Sequence, residues 1–132
     1  MGPRRRGLTT KLHMRKRLAC LLLSAIACAA HGADAERGRM LYDRRCIGCH
    51  SLDANRVGPA HRGVFGRKAG AAKDYDYSPA LRNARLVWDA QTLDRWLADP
   101  EQLVPGQRMG YSVSEAADRA DLIAYLREQA AR

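Results

Sequence analysis

Cys46-Ile47-Gly48-Cys49-His50 is the stretch on which the reading of this 132-residue chain turns. It is a C-x-x-C-H motif, and its spacing has a physical reason. Cysteines three apart occupy neighbouring positions of one helical turn, so each thiol can add to one of the two vinyl groups of a porphyrin. The next residue then directs an imidazole nitrogen at the iron from one side. The motif therefore reads as the attachment point of one covalently bound haem c. A thioredoxin-type redox pair would need a βαβ pattern, which the chain lacks. A Cys2His2 zinc site would have to aim adjacent Cys49 and His50 at one tetrahedral centre, with His61 outside the usual spacing. A disulfide closing so short a loop would constrain almost nothing.

An octahedral haem iron needs a second axial ligand or an open position. Met40 lies one and a half turns before Cys46 on the same predicted helix and cannot swing to the far face; it reads as core filler. Met109 lies sixty residues beyond Cys49, in Pro105-Gly106-Gln107-Arg108-Met109-Gly110, where turn residues can hold a thioether away from any helix. Ligation by His50 and Met109 favours reduced iron through the soft sulfur and raises the reduction potential. With both axial positions filled, the site suits electron transfer over bond-making chemistry.

Outward from the motif, the pattern is helical at both ends and irregular between. Asp34 is placed to cap a helix over about 35–46, with Gly38, Leu41 and Tyr42 on one face. Residues 47–80 are rich in glycine, contain Pro59 and Pro79, show no sustained periodicity and read as loops. Asp89 caps a second helix, Trp88 can staple against Leu93, the buried stripe is Leu93, Trp96 and Leu97, and Pro100 stops it. Ser112-Val113-Ser114-Glu115 reads as a capping box for a last helix to about Gln129, carrying Leu122, Tyr125 and Leu126 on one face. No strand pattern or internal repeat is present, so the domain is expected to be all-α. With only eight aromatic residues and a loop-rich middle, its core is thin, and a cofactor is the expected filler.

The first third of the chain reads as a leader. Leu18 to Ala30 is nearly continuous apolar sequence after Arg15-Lys16-Arg17, and small residues follow it, the arrangement of a secretory signal peptide. Residues 1–33 are assigned to it; Met14 offers a second start that would make residues 1–13 an upstream extension. Cleavage fits after Gly32 or after Ala33. The Arg4-Arg5-Arg6 run and Cys28 match twin-arginine and lipoprotein signals only weakly. The leader holds seven basic residues and no acidic one, so most of the formal charge of +9 leaves with it. Residues 34–132, the remaining domain, carry 16 basic and 14 acidic groups, which excludes a strongly basic nucleic-acid binder. No apolar run reaches the roughly 18 residues of a membrane span, so the protein is not expected to be membrane-embedded.

From about Gly38 to Leu126 the chain resembles class I monohaem cytochromes c, of the mitochondrial and bacterial c2 type. The resemblance rests on Cys46-x-x-Cys49-His50, Gly58-Pro59, Gly63-Val64-Phe65-Gly66-Arg67-Lys68-Ala69-Gly70 and Tyr75-x-Tyr77-Ser78. It continues through Trp88, Thr92-Leu93, Pro105-Gly106-x-x-Met109 and Leu122-x-x-Tyr125-Leu126. It implies the small cytochrome c fold, with N- and C-terminal helices crossing and the haem enclosed by loops. It implies that the Pro59 carbonyl accepts the Nδ1 proton of His50, that Arg67, Tyr77 and Trp88 hydrogen-bond a haem propionate, and that Gly38 lets the first helix cross closely over the last, against Leu122. Trp96 stands where the family often has Tyr near the methionine sulfur. His61 stands where the family usually has Leu; the favoured reading is a partly exposed histidine at the pocket mouth, keeping its polar edge wet, and the sharper one a group that tunes the haem.

The function implied is that of a periplasmic, monomeric one-electron carrier shuttling between redox proteins through transient contacts, not an enzyme. Residues 37–85 carry eleven basic and four acidic groups, against five and eight in 86–132. Arg44, Arg45, Arg62, Lys68, Lys73 and Arg108 are candidates for a basic rim that steers an acidic partner. Two alternatives stay open: a dedicated haem subunit of a periplasmic dehydrogenase or oxidoreductase, and a haem enzyme or gas binder should Met109 leave the iron easily.

Overall fold

The computed structural model describes Gly2 and residues 32–132. The leader reading rests on residues that, apart from Gly2, Gly32 and Ala33, lie outside that range. Five helices follow in order: α1 (Ala35–Arg45), α2 (Pro79–Asn83), α3 (Ala90–Ala98), α4 (Pro100–Leu103) and α5 (Ala116–Ala130). Among the described residues the only β pairing is an isolated antiparallel bridge between Lys68 and Val87. The all-α expectation holds, and no helix among these residues is long and apolar enough to cross a membrane.

The Asp34 carboxylate starts α1 by accepting from the amides of Glu36 (2.9 Å) and Arg37 (3.1 Å), which satisfies donors that a helix start leaves unpaired. α1 packs against α5 with Gly38 at the crossing. A Cβ there would meet the Asp121 carbonyl carbon at 2.6 Å, so only glycine lets the two backbones approach this closely. The contact falls on Asp121, one residue before the Leu122 expected from the sequence; Leu122 is instead fully buried beneath the crossing, with Leu41, Tyr42 and Tyr125. Asp118 and Asp121 are buried too, and their carboxylates are not left bare. Arg37 bonds both, Arg45 bonds Asp118 (2.9 Å), and the Asp34 amide donates to Asp121 (2.7 Å). Unpaired buried carboxylates would be costly; here they clamp one helix to the other.

α3 begins as its sequence indicates. Asp89 accepts from the Thr92 amide, Thr92 Oγ1 accepts from the Asp89 amide, both at 2.8 Å, and Trp88 and Leu93 are buried on either side of the cap. The start of α5 differs from expectation. Its N-cap is Glu115, with no side-chain cap bond, and Ser112 and Ser114 cap nothing. The reason is Val113, which is fully buried and donates its amide to the Leu97 carbonyl (2.7 Å). Pinned to α3, the chain cannot coil there, and Arg119 caps the segment from below by donating to the carbonyls of Val113 (3.0 Å) and Ser114 (2.7 Å). The short helices α2 and α4, each starting on a proline, are too brief to show periodicity in sequence. Met40 is 44% exposed and is not core filler.

Candidate functional site

Between the helices and the long loops lies a cavity of about 750 Å³. All eight residues singled out from the sequence (Cys46, Cys49, His50, Pro59, Arg67, Tyr77, Trp88 and Met109) line it.

Cys46 closes α1 as its C-terminal cap, and the chain turns through 46–49 so that the His50 amide donates to the Cys46 carbonyl (2.9 Å). Cys46 and Cys49 are not joined in a disulfide; Cys46 is partly buried, and Cys49 is exposed. His50 is buried, and its Nδ1 lies 2.8 Å from the Pro59 carbonyl. A carbonyl can only accept, so Nδ1 carries the proton and Nε2 keeps its lone pair for a metal. Burial lowers the His50 pKa, opposed by that same hydrogen bond, which favours the neutral, ligating form. Gly58 lies directly against this ring: a Cβ there would sit 2.6 Å from both ring nitrogens.

Met109 is presented by a different device. The Gln107 amide donates to the Val104 carbonyl (3.2 Å) across Pro105 and Gly106, and Gly106 has a φ of 85°, the geometry of a type II turn with proline second and glycine third. The strap from Val104 to Val113 is buried at both ends, and Met109 packs against the core between them.

Arg67 and Trp88 are brought together by pairing the sequence did not announce. Around the Lys68–Val87 bridge, the Trp88 amide donates to the Arg67 carbonyl (2.9 Å) and the Gly66 amide to the Trp88 carbonyl (2.7 Å). The Arg67 guanidinium bonds the Ala60 carbonyl (2.9 Å) and the Arg62 carbonyl (3.2 Å), while its Nε is buried without a partner. A buried orphan donor is uncommon, and beside a cavity that also exposes Tyr77 it fits an anionic group of a bound ligand. Apolar walls from Val64, Leu81, Leu93, Trp96, Leu97 and Leu126 complete a site whose donors and dimensions suit a haem.

Over residues 35–130 the sequence matches the family described as cytochrome c. The chain belongs to the cytochrome c family. It is 39% identical over 99 residues to cytochrome c type-1 of Ascaris suum, covering 73% of this chain and 88% of the relative. It is 41% identical over 97 residues to the cytochrome c of Euglena viridis, covering 71% and 95%. Among solved structures, cytochrome cH from Methylobacterium extorquens superposes with a TM-score of 0.70 at 41% identity, covering 73% of this chain and 99% of that one. Haem c, covalently attached, is therefore the cofactor, and electron carriage is the activity of the family.

His61 is partly exposed and lines the cavity, as expected, but makes contacts the sequence did not indicate. Its ring lies flat on His50, with centroids 4.0 Å apart and planes 20° apart, and its Nδ1 shares a 3.2 Å hydrogen bond with the Tyr42 hydroxyl. Burial first, then His50 and Arg67, push its pKa down to about 3. Of the six candidate rim cations, Arg45 and Arg108 line the cavity. Arg45, Arg62 and Arg108 are each paired, with Asp118, Asp53 and Asp76 respectively, so the basic rim is partly neutralised.

Proposed function

We propose that this chain is an exported, monomeric carrier of single electrons in which His50 Nε2 and the Met109 thioether hold the haem iron from its two sides. Cys46 and Cys49 form the thioethers, and Arg67, Tyr77 and Trp88 hydrogen-bond the propionates. The observation that carries the reading is the collection of these residues around one cavity, with the His50 proton donated to Pro59 and Nε2 left free. When bound, haem would supply a one-electron iron couple. The chain's own part is to orient His50 through the Pro59 carbonyl and to seat Met109 against the core, so that with both on the iron no position would remain for a substrate. The basic leader and apolar run of residues 15–33 support delivery to the periplasm.

The test is the absorption spectrum of the exported protein. The weak far-red sulfur–iron band of the ferric state is expected, and Met109→Leu is expected to abolish it, lower the reduction potential and admit small ligands to the iron. A coloured protein whose spectrum and potential survive Met109→Leu overturns the axial assignment; a colourless one overturns the whole reading. The N-terminus of the purified protein is expected after Gly32 or Ala33.

A further inference from the structure

Three aromatic side chains form a continuous contact from the helix crossing to the candidate iron ligand. Tyr42, on the buried face of α1, meets His61 at a centroid distance of 5.7 Å with planes at 63°, and His61 lies flat on His50. The backbone fixes each member independently. Tyr42 is held by α1 and by its packing on Tyr125, 5.3 Å away. His61 is tied at both ends: its amide donates to the Ser51 carbonyl (2.9 Å), and its carbonyl accepts from the Val64 amide (2.9 Å). The Gly58 amide, donating to the Cys49 carbonyl (2.8 Å), folds the same loop back along residues 49–52, which carries residue 61 over residue 50.

The Pro59 bond fixes the His50 tautomer and the general direction of its Nδ1 proton, but the broad angular preference of a carbonyl acceptor still lets the ring rock about its Cβ–Cγ bond. A flat contact against a second ring opposes that motion, and the Tyr42 hydroxyl keeps the second ring from turning. We infer that His61 is a positioning residue that sets the plane of the His50 imidazole, with Tyr42 as its anchor. The inference rests on His50 being an axial ligand, as proposed above, and goes beyond it by assigning the orientation of that ligand to two residues that do not touch the iron.

Ring orientation is read in the ferric holoprotein from the order and spread of the four haem methyl proton resonances and from the anisotropy of the electron paramagnetic g values. Three variants decide it: His61→Leu removes the ring, His61→Phe keeps a flat face without the hydrogen bond, and Tyr42→Phe removes only the hydroxyl. Expected are a narrowed and more temperature-dependent methyl spread in His61→Leu, and smaller changes in the same direction both in His61→Phe, which keeps the flat face but loses the bond to Tyr42, and in Tyr42→Phe. Equal patterns in His61→Leu and His61→Phe, whether shifted or not, overturn the role of the stacked face. A parent pattern in Tyr42→Phe overturns its role as anchor. Failure of the underlying ligand assignment is seen separately, as a parent protein whose spectrum lacks histidine ligation.

Discussion

At the scale of single residues, the site depends on what glycine and proline leave out. Gly58 presents no side chain to the His50 ring, and Pro59 contributes a carbonyl that no amide of its own competes for. Gly58→Ala is expected to displace the ring, because the added carbon would lie 2.6 Å from both nitrogens; the change is read as an altered ferric spectrum and reduction potential at near-parent helical circular dichroism. An unchanged spectrum would contradict the close approach. These positions were legible as a Gly-Pro pair in the sequence, and so were Cys46, Cys49, His50 and Met109, because covalent chemistry and metal ligation demand particular atoms. His61 and the orphan Nε of Arg67 were not legible in the same way. The bond from His61 to Tyr42, nineteen residues away, was not foreseen, because Tyr42 was read only as a hydrophobic face residue. Pairings across such distances leave no local signal.

At the scale of elements, the α1–α5 crossing and the cap of α3 carry separate predictions. Gly38→Ala sets a methyl group against the Asp121 backbone, which cannot move aside as a side chain would; a loss of about 3 kcal/mol of stability is expected, the upper end of ordinary overpacking, measured by denaturant unfolding. A near-neutral result would mean that the helices can separate without cost. The Asp89 carboxyl is held below the ordinary carboxylate range, chiefly by the Thr92 amide it accepts from. Since its folded pKa lies below its unfolded one, its contribution is complete at neutral pH and is lost as pH falls through the folded value. Asp89→Ala is expected to lower Tm at pH 7, and the gap between variant and parent to close as pH drops below about 4. A gap that persists in acid would assign the effect to something other than the charged cap. Helices α1 and α3 were readable because cap, apolar stripe and stop agree locally. The start of α5 was misread for a tertiary reason: a serine-rich capping pattern lost to the burial of Val113 and its bond to Leu97, an interaction between elements that no local pattern reports.

At the scale of the whole molecule, the core is built around a space of about 750 Å³ that its own side chains do not fill. Haem attachment is therefore expected to raise Tm sharply, because the apolar faces of the tethered macrocycle leave water only when the cavity walls close around them in the folded state; a cysteine-to-alanine pair at 46 and 49 that keeps the parent Tm would contradict this. Association with an acidic redox partner is expected to slow as salt rises, but shallowly, since Arg45, Arg62 and Arg108 already have carboxylate partners. A salt-independent rate would remove electrostatic steering altogether. The strap between Val104 and Val113 has a consequence of its own. Because both its ends are seated in the hydrophobic interior and the turn at Pro105-Gly106 sets its first half, the number of residues from Val104 to Met109 acts as a ruler for the sulfur. With Met109 on the iron as proposed above, one residue added ahead of it is expected to displace the thioether and to shift the reduction potential, a change made by loop length alone.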